Sequence, residues 1–84
     1  MLQRFWFEFE KLAEPTPLNI GCGVTAYDYD DALCILRERV FPRREIPPLK
    51  RVVPDVDVSQ LDTGHVHPNM GVVVERGVWF PKGL

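Results

Sequence analysis

Hydrophobic and polar residues alternate cleanly from Leu2 to Glu10: Phe5, Phe7 and Phe9 fall on one parity, Arg4, Trp6, Glu8 and Glu10 on the other. Period two in an aromatic-rich run predicts a half-buried strand with its phenylalanines toward the core. Pro15 and Pro17 then lack ladder donors and restrict the residues before them, so 11–17 reads as a connection. A second strand is expected from about Leu18 to Tyr27, with Leu18, Ile20, Cys22, Val24 and Ala26 on its apolar face. Pairing the two apolar faces places Trp6 on the same side as Gly21 and Gly23. There a broad ring can cover bare backbone, or the glycines can leave room for a ligand or partner.

The strand runs directly into a helix predicted from about Tyr29 to Val40. Asp28 supplies the capping oxygen, Asp31 stands at the capping-box position, and Asp30 adds negative charge at the positive end of the dipole. Tyr29, Ala32, Leu33, Leu36 and Val40 share one stripe at helical spacing, and Pro42 ends the helix by restricting Phe41. Beyond it the pattern thins. Val52 and Val53 suggest a short strand before Pro54. Asp55 to Ser59 alternates weakly, as an edge strand or a loop, and Asp62, Gly64, Pro68 and Asn69 mark turns. Gly71–Val74 and Val78–Phe80 flank Glu75-Arg76-Gly77 as the arms of a hairpin. The expected architecture is α+β, a single helix packed on one face of a small, mainly antiparallel sheet. Elements follow in strand-strand-helix-strand-strand order, and the other sheet face is partly open.

With 84 residues there is room for one domain, 1–84, and a chain so short gains readily from a partner. A hydrophobic content of 45% with 26% charged residues excludes disorder, and a net charge of −2 gives no electrostatic reason for nucleic acid as the main partner. No charged-then-apolar leader and no long apolar run are present, so neither a secretory signal nor a membrane span is expected. Two cysteines make no disulfide framework, and Cys34 should point away from the side Cys22 faces; a cytoplasmic protein with reduced thiols is the expectation.

Four constellations could carry chemistry. His65-Val66-His67 in an extended backbone would put two imidazoles on one side, with Asp62 or a cysteine to complete a metal site, although the spacing to either cysteine matches no zinc pattern. Gly21-Cys22-Gly23 lacks the third glycine of a dinucleotide fingerprint, and Cys22 facing the core reads as a small packed hydrophobe rather than a nucleophile. Arg37, Arg39, Arg43, Arg44, Lys50 and Arg51 form a basic stretch that could touch phosphate, interrupted by Glu38 and Glu45 and with Phe41 as its aromatic. Trp6 and Trp79, with Arg4 and Arg76 nearby, are the residue types that dominate protein interfaces, while Asp55, Asp57 and Asp62 could form an acidic face for a basic protein. The bland reading of each set is a covered sheet or solvated loop carboxylates.

The run Gly21 to Leu33, with Asn69-Met70-Gly71 and Arg76-Gly77-Val78-Trp79-Phe80-Pro81, resembles a group of short stand-alone bacterial proteins of unassigned activity, which brings no catalytic residues to carry over. In size and mild acidity the chain is also similar to immunity proteins that neutralise bacterial toxins. With no complete catalytic set in the sequence, the expectation is a small protein-binding module without cofactor, possessing no catalytic residues and engaging another protein or a second copy through Trp6 and Trp79. A metal protein or enzyme centred on His65, His67 and Asp62, and a nucleic-acid binder using Arg37 to Arg51, are the alternatives.

Overall fold

A computed structural model describes residues 1–10 and 12–83. Four strands and one helix follow one another as β1 (Gln3–Phe9), β2 (Cys22–Ala26), α1 (Tyr29–Ile35), β3 (Leu49–Val53) and β4 (Gly77–Phe80). The sheet has the spatial order β3-β1-β2-β4, and every neighbouring pair is antiparallel. The class is the expected α+β. The two strands read most clearly from the sequence lie at the centre, and the later ones form the edges.

The phenylalanine face takes the helix. Phe5, Phe7 and Phe9 pack with Cys22, Val24 and Ala26 of β2 and with Ala32, Ile35, Leu36 and Phe41. Asp28 caps α1 by accepting from the Asp31 N–H at 2.8 Å, as its position predicts. The buried stripe, however, centres on Ala32, Ile35 and Leu36; Leu33 is half-buried and Tyr29 largely exposed. Ala32 brings the helix close to the sheet, and that rotation carries Ile35 inward. After Ile35 the helix widens into a π turn, Leu36–Val40, in which the Phe41 N–H donates to the Leu36 carbonyl at 2.8 Å. The wider turn returns Phe41 to the core side, where its ring meets Phe9 edge-on at 5.4 Å.

Three sequence expectations are corrected. The second strand begins at Cys22, because Pro17–Asn19 forms a 3₁₀ turn with the Thr16 hydroxyl accepting from the Leu18 N–H. Ile20 is consequently exposed instead of facing the core. Gly71–Val74 forms no strand and no hairpin with β4, which pairs with β2 instead. Finally, the far sheet face is not open around the tryptophans. Trp6 is 4% exposed and Trp79 0%, in a second core with Val66 and Phe80.

That second core has a legible cause. β3 and β4 lie at opposite edges of the sheet, so the connection 54–76 must cross its full width. It does so over the face that α1 leaves free, laying Val56, Val58, Leu61, Val66, Met70 and Val73 against the tryptophans. Asp55 to Ser59 is therefore loop, ending in a 3₁₀ turn at Val58–Gln60. The Val56 N–H still donates to the Arg4 carbonyl at 2.8 Å, and buried Thr25 donates its hydroxyl to the Val73 carbonyl at 2.7 Å. A bulge in β4 contributes as well. Gly23 pairs with Phe80 but Val24 with Val78, so Trp79 is the extra residue and shares the second core with Phe80. Strict alternation would have sent the two to opposite faces.

The tryptophans sit on glycine. A Cβ at Gly23 would fall inside the Trp79 indole, and one at Gly21 would meet the Trp6 ring. The rings lie 5.9 Å apart and 29° from parallel, with Phe80 5.5 Å from Trp6. Of the two readings of the glycines, the close-covering one describes the structure.

Gly23→Ala should therefore destabilise the fold by about 1–3 kcal/mol through overpacking, whereas Gly71, whose added Cβ would sit 3.8 Å from the Trp79 carbonyl oxygen, should tolerate alanine. Trp79→Ala should cost about 3–5 kcal/mol. Trp79→Phe should cost clearly less, because the buried indole N–H has no hydrogen-bond partner among the described residues and its removal loses no bond. Urea melts of the four variants check these rankings.

Candidate functional site

The crossing segment does not cover the whole far face. Near Glu8 of β1 and Ile20, just before β2, it leaves a groove of about 470 Å³. The strand period places Trp6 and Glu8 of β1 on this side, and antiparallel register sets Val53 of β3 opposite Trp6 and Arg51 opposite Glu8. Val56, Asp57, Gln60, Leu61, Asp62 and Val66 of the crossing segment form the facing wall, and Ile20 closes one end. The floor is apolar, and its rim carries three carboxylates to one guanidinium.

Each charged group is held by a specific geometry. The Trp6 indole donates from Nε1 to Glu8 Oε2 at 3.0 Å, and Arg51 Nη1 lies 3.6 Å from the same oxygen. Asp57 caps the Val58–Gln60 turn, where its Oδ1 accepts from the Ser59 hydroxyl at 2.7 Å and the Ser59 N–H at 3.0 Å. Those two bonds hold its carboxyl below the usual range. Asp62 closes the next turn: its Oδ1 accepts from the Gly64 N–H at 2.7 Å and the His65 N–H at 3.1 Å, with His65 Nδ1 3.2 Å from Oδ2. The Gly64 bond, then those from His65, lower its pKa too. Asp55 occupies a left-handed turn position at φ 50°, away from the groove lining. These aspartates, with no structural part assigned by the sequence, shape the turns of the crossing segment.

The other expected site residues disperse. Trp79 is wholly buried, and Trp6, though it lines the groove, is 4% exposed, so neither stands as an exposed interface anchor. Arg4 lends its carbonyl to Val56. Arg76 forms a two-point ion pair with Asp31, its Nε 2.9 Å from Oδ2, which ties the entry of β4 to the start of α1. The Arg76 bond and the Tyr27 N–H draw the Asp31 pKa from 3.8 to about 2. His65 and His67 lie in consecutive turns, not an extended backbone. His67 Nε2 bonds the Val58 carbonyl at 2.7 Å while His65 turns to Asp62. Among the described residues no three His, Cys, Asp or Glu side chains group around a common point for a metal.

Burial pushes the Cys22 thiol up to about 12, the opposite of what a nucleophile needs; both cysteines are free. The basic stretch is divided: Arg51 lines the groove beside Glu8, whereas Arg37 and Arg44 line a second hollow with Phe41 and Glu45, Arg44 lying 5.7 Å over Phe41 and 3.3 Å from Glu14. No helix among the described residues is long and apolar enough to cross a membrane.

Val56, Leu61 and Val66, central to the groove, were not singled out by the sequence reading. Their signal is a scatter of single apolar residues through an otherwise polar, turn-rich segment, a pattern with neither helical nor strand period. No protein-family model, curated protein or solved structure matches the chain.

The Asp31–Arg76 pair makes a pH prediction. A carboxyl lowered from 3.8 to about 2 on folding stabilises the fold fully above 3.8, and this contribution is lost as pH falls toward 2. Asp31→Asn keeps an acceptor for the Tyr27 N–H but loses the charge. Thermal melts across that acid range should show a shallower decline in stability for the variant than for the parent chain.

Proposed function

We propose that the chain is a small, non-catalytic protein-binding module that holds a segment of another protein in the groove between β3 and the crossing segment. The observation that carries this reading is the composition of the groove. Trp6 and Val53 of the sheet with Val56, Leu61 and Val66 of the facing wall offer an apolar lining inside a rim of charges, and Ile20, 40% exposed, adds an apolar end wall. An apolar centre within a polar rim is the usual anatomy of a recognition surface. The partner-facing residues are thus Leu61, Ile20, Asp57 and Asp62 over the buried Trp6, in place of a broad tryptophan face. A cytoplasmic setting with reduced thiols fits two free cysteines.

The finer reading is an immunity-type inhibitor, in which the bound protein is a bacterial toxin. Its support is the chain's small size and net charge of −2 together with an acidic groove rim.

A photo-crosslinking side chain at exposed Gln60, on the groove wall, should capture a discrete partner in the native cell, whereas the same group at Arg39, on the π turn after α1, should not. Equal adducts from both positions, or none from Gln60, would overturn the docking role. For the immunity reading, the captured partner should be a toxin whose activity the purified chain suppresses.

A further inference from the structure

Resting on the groove as a docking site, we infer that its occupant is a short peptide segment carrying a lysine or arginine flanked by apolar side chains. The argument is one of unspent charge. Of the rim groups, Glu8 accepts from the Trp6 indole and lies 3.6 Å from Arg51, whose charge offsets its own. Asp57 and Asp62 remain, and each has its Oδ1 fixed by turn hydrogen bonds. Asp57 Oδ2 accepts no hydrogen bond among the described residues, and the Asp62 Oδ2 contact is to an exposed histidine. Two oriented carboxylates thus stand at the edge of an apolar floor with acceptor capacity to spare.

An approaching cation gains from both, and an approaching carboxylate is repelled by both. The same groove supplies the apolar part: Leu61, Val66, Trp6 and Ile20 line it together with Asp57 and Asp62. A volume of about 470 Å³ accommodates a few side chains, which a single extended segment can supply.

The two aspartates can be tested without dismantling their turns. Asparagine caps and Asx turns accept the same backbone bonds, so Asp57→Asn and Asp62→Asn remove charge and keep geometry. The probe is a capped peptide of alternating leucine and lysine, with counterparts carrying glutamine or glutamate in place of lysine. Binding is followed by amide shifts in the isotope-labelled protein.

The lysine peptide should move the amides of Asp57, Leu61 and Val66 and leave that of Arg39 unchanged. Each aspartate variant, and the lysine-to-glutamine exchange, should weaken binding by about two- to fivefold, the range of exposed ion pairs. Added salt should weaken the lysine peptide and not the glutamine one, a readout on the unaltered protein that stands even if a variant folds poorly. A glutamine or glutamate peptide that occupies the groove as tightly as the lysine peptide would overturn the cationic occupant while leaving the groove as a docking site. If no peptide moves the groove amides, or if they shift on concentrating the protein alone, the peptide-docking reading itself falls and this inference with it.

Discussion

The indole of Trp79 occupies the space where a side chain at Gly23 would be, and the Trp6 ring does the same above Gly21. Most of the far half of the molecule depends on that contact. With no Cβ in the way, two large flat rings lie directly on β2 backbone and against each other. The surface they present is even enough for a segment without regular structure to pack on it. Single valines and a leucine from successive turns then suffice to close the layer. Large aromatic rings bring much of the apolar area such a layer needs, which is how a turn-rich connection is held without a helix of its own.

The groove follows from the same arrangement. The crossing segment is drawn over the rings of Trp6, Trp79 and Phe80, toward β4, and has nothing comparable to grip near Glu8 and Ile20. Its aspartates spend their hydrogen bonds on turning the chain, and in doing so they are aimed. The turn bonds that fold the segment also lower the pKa of Asp57 and Asp62 and fix one oxygen of each, so in the proposed docking site structural and recognition roles coincide.

Where two independent local signals agreed, the sequence was legible. Alternation and aromatic content defined β1, and the Asp28 cap with its capping-box partner located the start of α1. The parity of Trp6 against the phenylalanines also placed it correctly on the face away from the helix. What was missed depends on distant partners. A bulge moved Phe80 to the side of Trp79, a π turn brought Phe41 back to the core, and β4 chose β2 over its sequence neighbours 71–74. None of these has a local period. The groove was less legible still, since its floor is assembled from apolar residues that are unremarkable one by one. The assumption that one helix covers one face and leaves the other bare failed because an irregular segment with enough aliphatic side chains can serve as a layer.

The strand order has a consequence for how the chain is made. β1 and β2 are close in sequence and pair with each other at the sheet centre, so a central hairpin is available early, through local contacts of the kind that form fast. One side of that hairpin is closed once the helix has emerged. The other, with Trp6 above bare glycine backbone, stays uncovered until residues 54–80 have left the ribosome, because its lid and its last strand both follow the helix in the chain. A growing chain thus carries an adhesive aromatic surface until that segment follows, and the emergence of residues 54–80, rather than that of the helix, is the moment at which the sheet is covered on both faces.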